Sequence, residues 1–317
     1  MRAVSSRNGE MIMKHTLGKR GFVTIATGAD RYYDLAVNLL HSYRFHSDSP
    51  YPFAILCDRE NDKTAEFDDV IILDNPSNSY NDKLRLFDYL PYRETIFIDA
   101  DSLAYGDLNA WWDMFAPMGD FSVFGYAYRD LKTAKRWFRP DGMREFADQV
   151  SFVPDFNGGV YYLRRTETCG RVFELARWCA EHYHDYAFDG FVDPADEPVL
   201  ALGMAVCGCE PLDADEVIFA PKPHRAVYDI VSGRARRRGS DYDRRLIHWS
   251  NYLTMKSAYR FEKNRLDRAM SGKKTICGKL LYDVGLARAY LWIYDVKAFC
   301  FRVKRKIKKV WKKRHGA

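Results

Sequence analysis

Residues 96–101 read Ile-Phe-Ile-Asp-Ala-Asp, and the fold turns on how that stretch is read. Thr95, Ile96, Phe97 and Ile98 form a short, β-branched and aromatic run flanked by charge, which predicts a buried strand. The run ends in two carboxylates, Asp99 and Asp101, one residue apart. In open α/β sheets, ligands bind beyond the carboxyl ends of the strands, so both acids are expected at the rim of a site. Carboxylates that close repel each other unless a cation bridges them. Hard divalent ions such as Mg²⁺ or Mn²⁺ take oxygen ligands and are often shared with substrate phosphates. The chemistry therefore points to a metal–diphosphate site. The plainer alternative for Asp-x-Asp alone is a solvated turn at a strand end.

Working outward, strands and helices alternate. Gly21–Thr27 reads as a first strand, and Asp30–Arg44 as an amphipathic helix with Leu35, Leu39, Leu40 and Tyr43 inward. Phe53–Cys57 and Val70–Leu73 read as strands, and Asp82–Leu90 as a helix ended by Pro91. A helix is expected around Leu108–Phe115, then a strand at Phe121–Tyr126 and another at Gly159–Leu163. Thr166–Tyr183 reads as a long helix, and a further helix begins near Asp196. This alternation predicts an α/β fold with a mainly parallel sheet and right-handed crossovers. Residues 127–154 read as irregular, either a mobile loop over the site or an insertion. Residues 230–245 read as a Gly/Arg/Ser/Asp-rich loop, and 265–296 as helical.

The bulk properties fit a globular protein. The chain has 317 residues, 47% hydrophobic and 29% charged, enough for one large α/β domain or two modest ones. No run of 18 apolar residues is present, so no spanning helix is expected. Residues 1–20 lack the apolar stretch of a secretory signal and read as a flexible leader. The seven cysteines are scattered, and Cys207-Gly208-Cys209 is too tight for the usual zinc spacing, so reduced thiols of a cytosolic protein are expected. The net charge of +6 hides an asymmetry. Ten Lys/Arg and no acid follow from Lys297 onward, which leaves −4 on residues 1–296. An anionic partner is expected for the tail alone.

Other chemistry-bearing residues follow the carboxylate pair in a fixed order. Ahead of it lies Asp82-Lys83-Leu84-Arg85-Leu86-Phe87-Asp88-Tyr89-Leu90; after it come Phe156-Asn157-Gly158-Gly159-Val160-Tyr161, Asp196-Glu197 and His248. In this order the chain resembles the glycogenin-like retaining glycosyltransferases, which include bacterial lipopolysaccharide glucosyl- and galactosyltransferases. The resemblance covers about residues 21–256. It implies a GT-A fold, a Rossmann-like nucleotide-diphospho-sugar transferase with a mixed, mainly parallel sheet flanked by helices. Residues 257–317 are then a helical C-terminal extension.

The resemblance also implies roles. Asp99, Asp101 and His248 would hold Mn²⁺, with Mg²⁺ the alternative; an imidazole ligand suits Mn²⁺ better. Ala26, Thr27, Tyr32, Lys83, Ala100, Asn157, Gly158 and Gly159 would contact the UDP-sugar donor together with the metal carboxylates. Gly28 stands where the family has Asn, and Tyr32 or Tyr33 would stack on the base. Lys83 would set a positive charge near the pyrophosphate. Asp196 would hold sugar hydroxyls. Glu197 stands where the family usually has Gln and reads as an electrostatic stabiliser, a nucleophile, or simply an acid in the first turn of a helix. Lys256 is the loosely spaced substitute for a family phosphate-binding lysine.

The expectation is a metal-dependent transferase moving glucose or galactose from a UDP-sugar to a glycan or glycolipid hydroxyl, with retention, in surface polysaccharide or lipopolysaccharide synthesis. A catalytically inactive nucleotide-sugar-binding or scaffold protein and a nucleotidyltransferase are the rivals. No nucleic-acid motif appears, and nucleic acid is not an expected partner. From Val296, apolar residues recur at Phe299, Cys300, Val303, Ile307, Val310 and Trp311, with Lys and Arg filling the opposite face. This predicts a basic amphipathic helix across 297–317 that binds an anionic membrane surface, so the protein is expected in the cytoplasm at the inner face of the membrane.

Overall fold

The first strand, β1 (Gly18–Ala26), begins inside the stretch expected to be a leader, and its Arg20 pairs with Glu94 at 3.1 Å. The computed structural model describes residues 18–132, 134, 136–189, 192–221, 225–275 and 296. After β1 come α1 (Asp30–His46), β2 (Phe53–Cys57) and β3 (Asp69–Ile72). Then follow a 3₁₀ segment (Tyr80–Tyr89), β4 (Tyr92–Ile98), β5 (Ser102–Ala104) and α2 (Trp111–Phe115). β6 (Phe121–Tyr128), β7 (Val153–Arg164), α3 (Glu167–Glu181) and α4 (Asp196–Cys207) continue the chain. It ends with β8 (Val217–Phe219), β9 (Ala226–Asp229), β10 (Arg234–Arg237), β11 (Leu246–His248), α5 (Ser250–Thr254) and α6 (Ser257–Met270).

Six strands form the central sheet in the order β3-β2-β1-β4-β7-β6. The first four run parallel, and β7 lies antiparallel to both β4 and β6. The inner strands are apolar on both faces because both faces are covered. Phe22, Ile55, Ile96 and Ile98 pack under α1 and α2 with Leu39, Leu40, Trp111 and Trp112. Val23, Ala54, Phe97 and Tyr161 pack on the other side against Val172 and Phe173 of α3 and Val199 and Leu200 of α4. Full burial of a side chain such as Phe97 contributes about 1.5–3 kcal/mol.

A smaller sheet, β5-β11-β8, sits where β4 ends. β5 starts directly after Asp101, and β11 pairs antiparallel to it with His248 opposite Ser102. The Trp249 amide donates to Asp101 O at 3.0 Å and fixes that register.

Several elements differ from expectation. Asp82–Leu90 is 3₁₀ rather than α, with Asp82, Leu84 and Leu86 buried at every second position, a spacing no α-helical face provides. β7 begins six residues before Gly159. The 127–154 region carries 3₁₀ turns at Pro140–Gly142 and Arg144–Gln149, and the 230–245 loop contains β10, hairpinned to β9. α6, assigned to the C-terminal extension, packs into the main core through Tyr259 and Leu266. The helix expected over 265–296 starts earlier, at Ser257, and its turn ends at Met270; residues 276–295 and 297–317, including the basic tail, lie outside the described residues. Among the described residues, no helix is long and apolar enough to cross a membrane.

Candidate active site

Asp99 and Asp101 sit in the turn that leaves β4. The Asp99 amide donates to Gly159 O at 2.9 Å, and the Ser102 amide to Asp99 O at 3.1 Å, so the turn is held from both sides. β11 brings His248 alongside. Its Nε2 lies 3.0 Å from Asp101 Oδ1 and 3.6 Å from Asp99 Oδ2. One ligand atom from each of the three residues lies within 4.8 Å of the others. The opposite ring nitrogen, Nδ1, is 2.7 Å from Asn157 Oδ1. That oxygen also accepts from the Gly159 amide at 3.2 Å, which assigns it as the acceptor end of the carboxamide. Nδ1 therefore carries a proton, and Nε2 is the atom directed at the carboxylates. Such an outer hydrogen bond fixes the tautomer and ring orientation that a histidine needs to bind a metal through Nε2.

The electrostatics agree. Burial pushes the Asp99 carboxyl up, and Lys83 and His248 only partly offset it. Burial acts the same way on Asp101, but the charge and hydrogen bond of His248 outweigh it and hold its pKa below the usual range. Burial disfavours charge on His248, yet Asp101 and Asp99 prevail and raise its pKa. Without an ion, Lys83 and His248 are the cations that face the two carboxylates. Two carboxylates and one imidazole fit Mn²⁺ by donor chemistry, and fit Mg²⁺ less well.

Lys83 ties this cluster to a second one. Its ammonium donates to Asp99 Oδ2 at 2.9 Å, Gly158 O at 3.0 Å and Asp196 Oδ2 at 3.0 Å. An ammonium has three donors, and all three are used. Lys83 thus offers its charge to the pocket but no spare hydrogen bond. Asp99 thus has a protein cation as partner. Asp196 opens α4 and also accepts from Tyr161 Oη at 2.5 Å. Glu197, the next residue, accepts from the Gly158 amide at 3.3 Å. Burial first, and then the neighbouring Asp196, push its carboxyl up to about 7.

The glycine pair is required by this crowding. A Cβ on Gly158 would lie 2.7 Å from Tyr161 Oη and 2.8 Å from Asp196 Oδ2. A Cβ on Gly159 would lie 2.4 Å from His248 Nδ1.

A pocket of about 440 Å³ opens beside the carboxylates and is lined by Thr27, Tyr32, Asn78, Lys83, Ala100 and Asn251, among others. Thr27 donates to Asp82, a buried carboxylate that also gathers the Ser77 and Asn78 amides at 2.7 and 3.1 Å. Gly28, at φ 77°, turns the chain toward Asn78. Asn251 donates to Tyr32 Oη at 3.0 Å across the pocket mouth. Three residues singled out in the sequence lie outside this pocket's lining. Ala26 is buried in the core rather than lining the pocket. Tyr33 is also buried, with its hydroxyl on Asp58, so it cannot stack on a ligand. Lys256 does not line the pocket; its ammonium sits 4.2 Å over the Tyr252 ring, where the turn after α5 carries it.

Sequence reasoning missed Asn78, Ser79, Tyr80 and Asp82 as pocket residues. The available signal was Ser77-Asn78-Ser79-Tyr80-Asn81-Asp82, a polar turn-forming run directly before a motif already singled out. It also missed Tyr161, which looks like an ordinary strand aromatic.

A second pocket of about 280 Å³ includes Asn157, Asp155, Tyr126 and Phe219 in its lining. The Phe219 ring lies 5.1 Å from that of His248. His248 thus touches a residue of each pocket, Asp101 of the first and Asn157 of the second.

No family model matches the chain, and no curated protein matches its sequence. Solved structures do match it. The galactosyltransferase LgtC, solved in complex with donor and acceptor sugar analogues, aligns with a TM-score of 0.50 at 14% identity, over 82% of this chain and 98% of LgtC. The fold is that of the GT-A glycosyltransferases. The bifunctional glycosyltransferase WbbM aligns with a TM-score of 0.45 at 13% identity, over 74% of this chain and 46% of WbbM. Mouse xyloside xylosyltransferase 1 aligns with a TM-score of 0.45 at 12% identity, over 74% of this chain and 99% of that one. The chain spans less than half the length of WbbM.

Proposed function

We propose that this protein is a metal-dependent glycosyltransferase that moves a hexose, glucose or galactose, from a UDP-sugar to a hydroxyl of a glycan or glycolipid. The observation that carries the reading is the convergence of Asp99, Asp101 and His248 at the rim of a pocket, with His248 Nδ1 already engaged by Asn157. A divalent ion held by these three residues would act as a Lewis acid on the diphosphate and neutralise charge on the departing UDP.

The chain's own groups supply the rest. Thr27, Gly28 and Asn78 frame the nucleoside end of the pocket, and Tyr32 offers an aromatic face there. Asp196, whose Oδ2 is held by Lys83 and Tyr161, would accept from sugar hydroxyls through its other oxygen. Glu197, with a carboxyl near 7, is ionised in part at neutral pH, and in that form it stabilises positive charge developing on the sugar. The 280 Å³ pocket beyond Asn157 takes the acceptor. Retention of configuration belongs to the proposal on the strength of the resemblance, as does a place in surface polysaccharide or lipopolysaccharide synthesis. The basic, aromatic tail would hold the protein on the inner face of the membrane, beside a lipid-linked acceptor.

A thermal-shift screen of nucleotide sugars, with Mn²⁺ and with a chelator, tests the reading. UDP-glucose or UDP-galactose should raise the melting temperature only with Mn²⁺, because a ligand that binds the native state stabilises it by mass action. A screen in which no nucleotide sugar responds to the metal would refute it.

A further inference from the structure

Two strands run past the end of the sheet. β4 stops at Ile98, opposite Val160 of β7. β6 and β7 stay paired beyond that point, after a shift in register past Val123, from Gly125↔Phe156 out to Tyr128↔Val153. The overhang is a two-stranded ribbon at the end of the sheet where Asp99 and Asp101 lie. Its outer strand, β6, is the edge of the sheet. Edge strands are usually guarded by charge, bulges or cover. Up to Gly125 the edge is covered by Leu212, whose carbonyl accepts from the Gly125 amide at 3.0 Å; beyond it the strand carries Tyr126 and Tyr128 on one face, 49% and 40% exposed, with ring centroids 5.0 Å apart. Tyr126 also lines the 280 Å³ pocket that begins at Asn157.

We infer that this ribbon is the outer half of the acceptor site: it holds the second ring of an oligosaccharide whose terminal ring fills the pocket. The inference rests on the glycosyltransferase reading and names the acceptor's class. A sugar ring presents an apolar C–H face and a rim of hydroxyls. An aromatic face, negative at its centre, attracts the first, and carboxylates accept from the second. The pocket and ribbon supply both. Phe219, 48% exposed, and Tyr126 are aromatic walls, and Asp213 is an exposed carboxylate. Asp155 and Asp215 are balanced by Arg136 at 2.8 Å, by Arg237 at 3.2 Å and by Arg244, so the surface carries little net charge and suits a neutral sugar. Size sets the division. At about 280 Å³ the pocket lies at the bottom of the range of about 300–1,000 Å³ typical of small-molecule sites; it has room for a terminal ring, and the next ring would reach the tyrosines.

The test uses a glycan array printed with mono-, di- and trisaccharides of the gluco and galacto series, probed with full-length protein carrying UDP and Mn²⁺. Wild type, Tyr126→Ala/Tyr128→Ala and Tyr126→Phe/Tyr128→Phe are compared, with melting temperature and the UDP-induced shift measured on each. Wild type should bind at least one di- or trisaccharide more than tenfold above its terminal monosaccharide. The double Ala variant should lose that gain, the double Phe variant should keep it, and the UDP shift should be equal in all three. The inference is overturned by equal binding of single rings and longer glycans, by a gain that survives in the Ala variant, by its loss in the Phe variant, or by no glycan binding in a protein that binds UDP. Failure of wild type to bind UDP with Mn²⁺ would overturn the glycosyltransferase reading and this inference together, so the two failures are distinguishable.

Discussion

Gly159→Ala moves the imidazole of the metal cluster without altering any ligand. The added Cβ would sit 2.4 Å from His248 Nδ1 and 3.0 Å from both His248 Cε1 and Asn157 Oδ1, whereas ordinary contact starts at 3.4 Å. The ring must retreat by about 1 Å, and the 2.7 Å bond to Asn157 cannot survive that shift. Loss of the outer hydrogen bond to a metal-binding histidine typically costs about 10–100-fold in metal affinity, or about 1.4–2.8 kcal/mol. The crowding itself removes a further ~1–3 kcal/mol of fold stability. Asn157→Ala breaks the same bond without adding an atom. The two variants should therefore match in Mn²⁺ affinity within a few-fold and differ in stability. Mn²⁺ titration followed by the electron paramagnetic resonance signal of the free ion measures the first, and urea unfolding the second. If both variants remain folded and bind Mn²⁺ within twofold of wild type, His248 is not a ligand oriented by Asn157.

Other expectations concern the neighbouring groups. The native state binds a proton on Glu197 more tightly than the unfolded chain does. The stability this contributes is full below the ordinary carboxyl value of 4.5 and is lost as pH rises through about 7; Glu197→Gln should flatten that decline in urea melts taken from pH 4.5 to 8. As an electrostatic stabiliser Glu197 tolerates this change with much of the transfer rate kept, and a glycosyl adduct trapped on Glu197 in a mass spectrum would contradict that role. Gly158→Ser should lower the melting temperature because Tyr161 Oη and Asp196 already fill its space; the loss should shrink in a Tyr161→Phe background, and equal losses in both would disprove the clash. Deleting residues 297–317 should abolish binding to anionic liposomes and spare transfer to a soluble acceptor, since each basic residue near such a surface is worth about 1 kcal/mol. Undiminished liposome binding by the truncated chain would rule the tail out.

The strand Thr95–Ile98, its two carboxylates and the later histidine were legible because each rests on a local pattern or on order along the chain. What stayed hidden was set by tertiary contacts. The N-terminal half of β7 contains Pro154, Asn157 and Gly158, residues that argue against a strand; pairing of Val153–Phe156 with β6 keeps it extended. β10 escaped notice because Arg234–Arg237 shows no apolar alternation; Arg236 and the Ala235 amide are held by Asp243. Lys83 was legible as a site residue, but its partners were not. Whether it faces a phosphate or three protein oxygens depends on where Asp196, 113 positions later, is brought by α4. Lys256, already loosely spaced in the sequence, is carried by the turn after α5 over the Tyr252 ring.

The most direct test of the metal-centred account is the product released from a UDP-hexose. UDP-glucose and UDP-galactose are incubated with the protein, with and without Mn²⁺, and the nucleotide products are separated by ion-exchange chromatography. The account predicts free UDP from one of the two donors with Mn²⁺ present, none in a chelator, and none from Asp101→Asn, which removes a charge from the cluster while leaving the Lys83 contacts in place. UDP release that persists in chelator or in Asp101→Asn would contradict it, and UMP in place of UDP would point to cleavage within the diphosphate instead of transfer of the sugar.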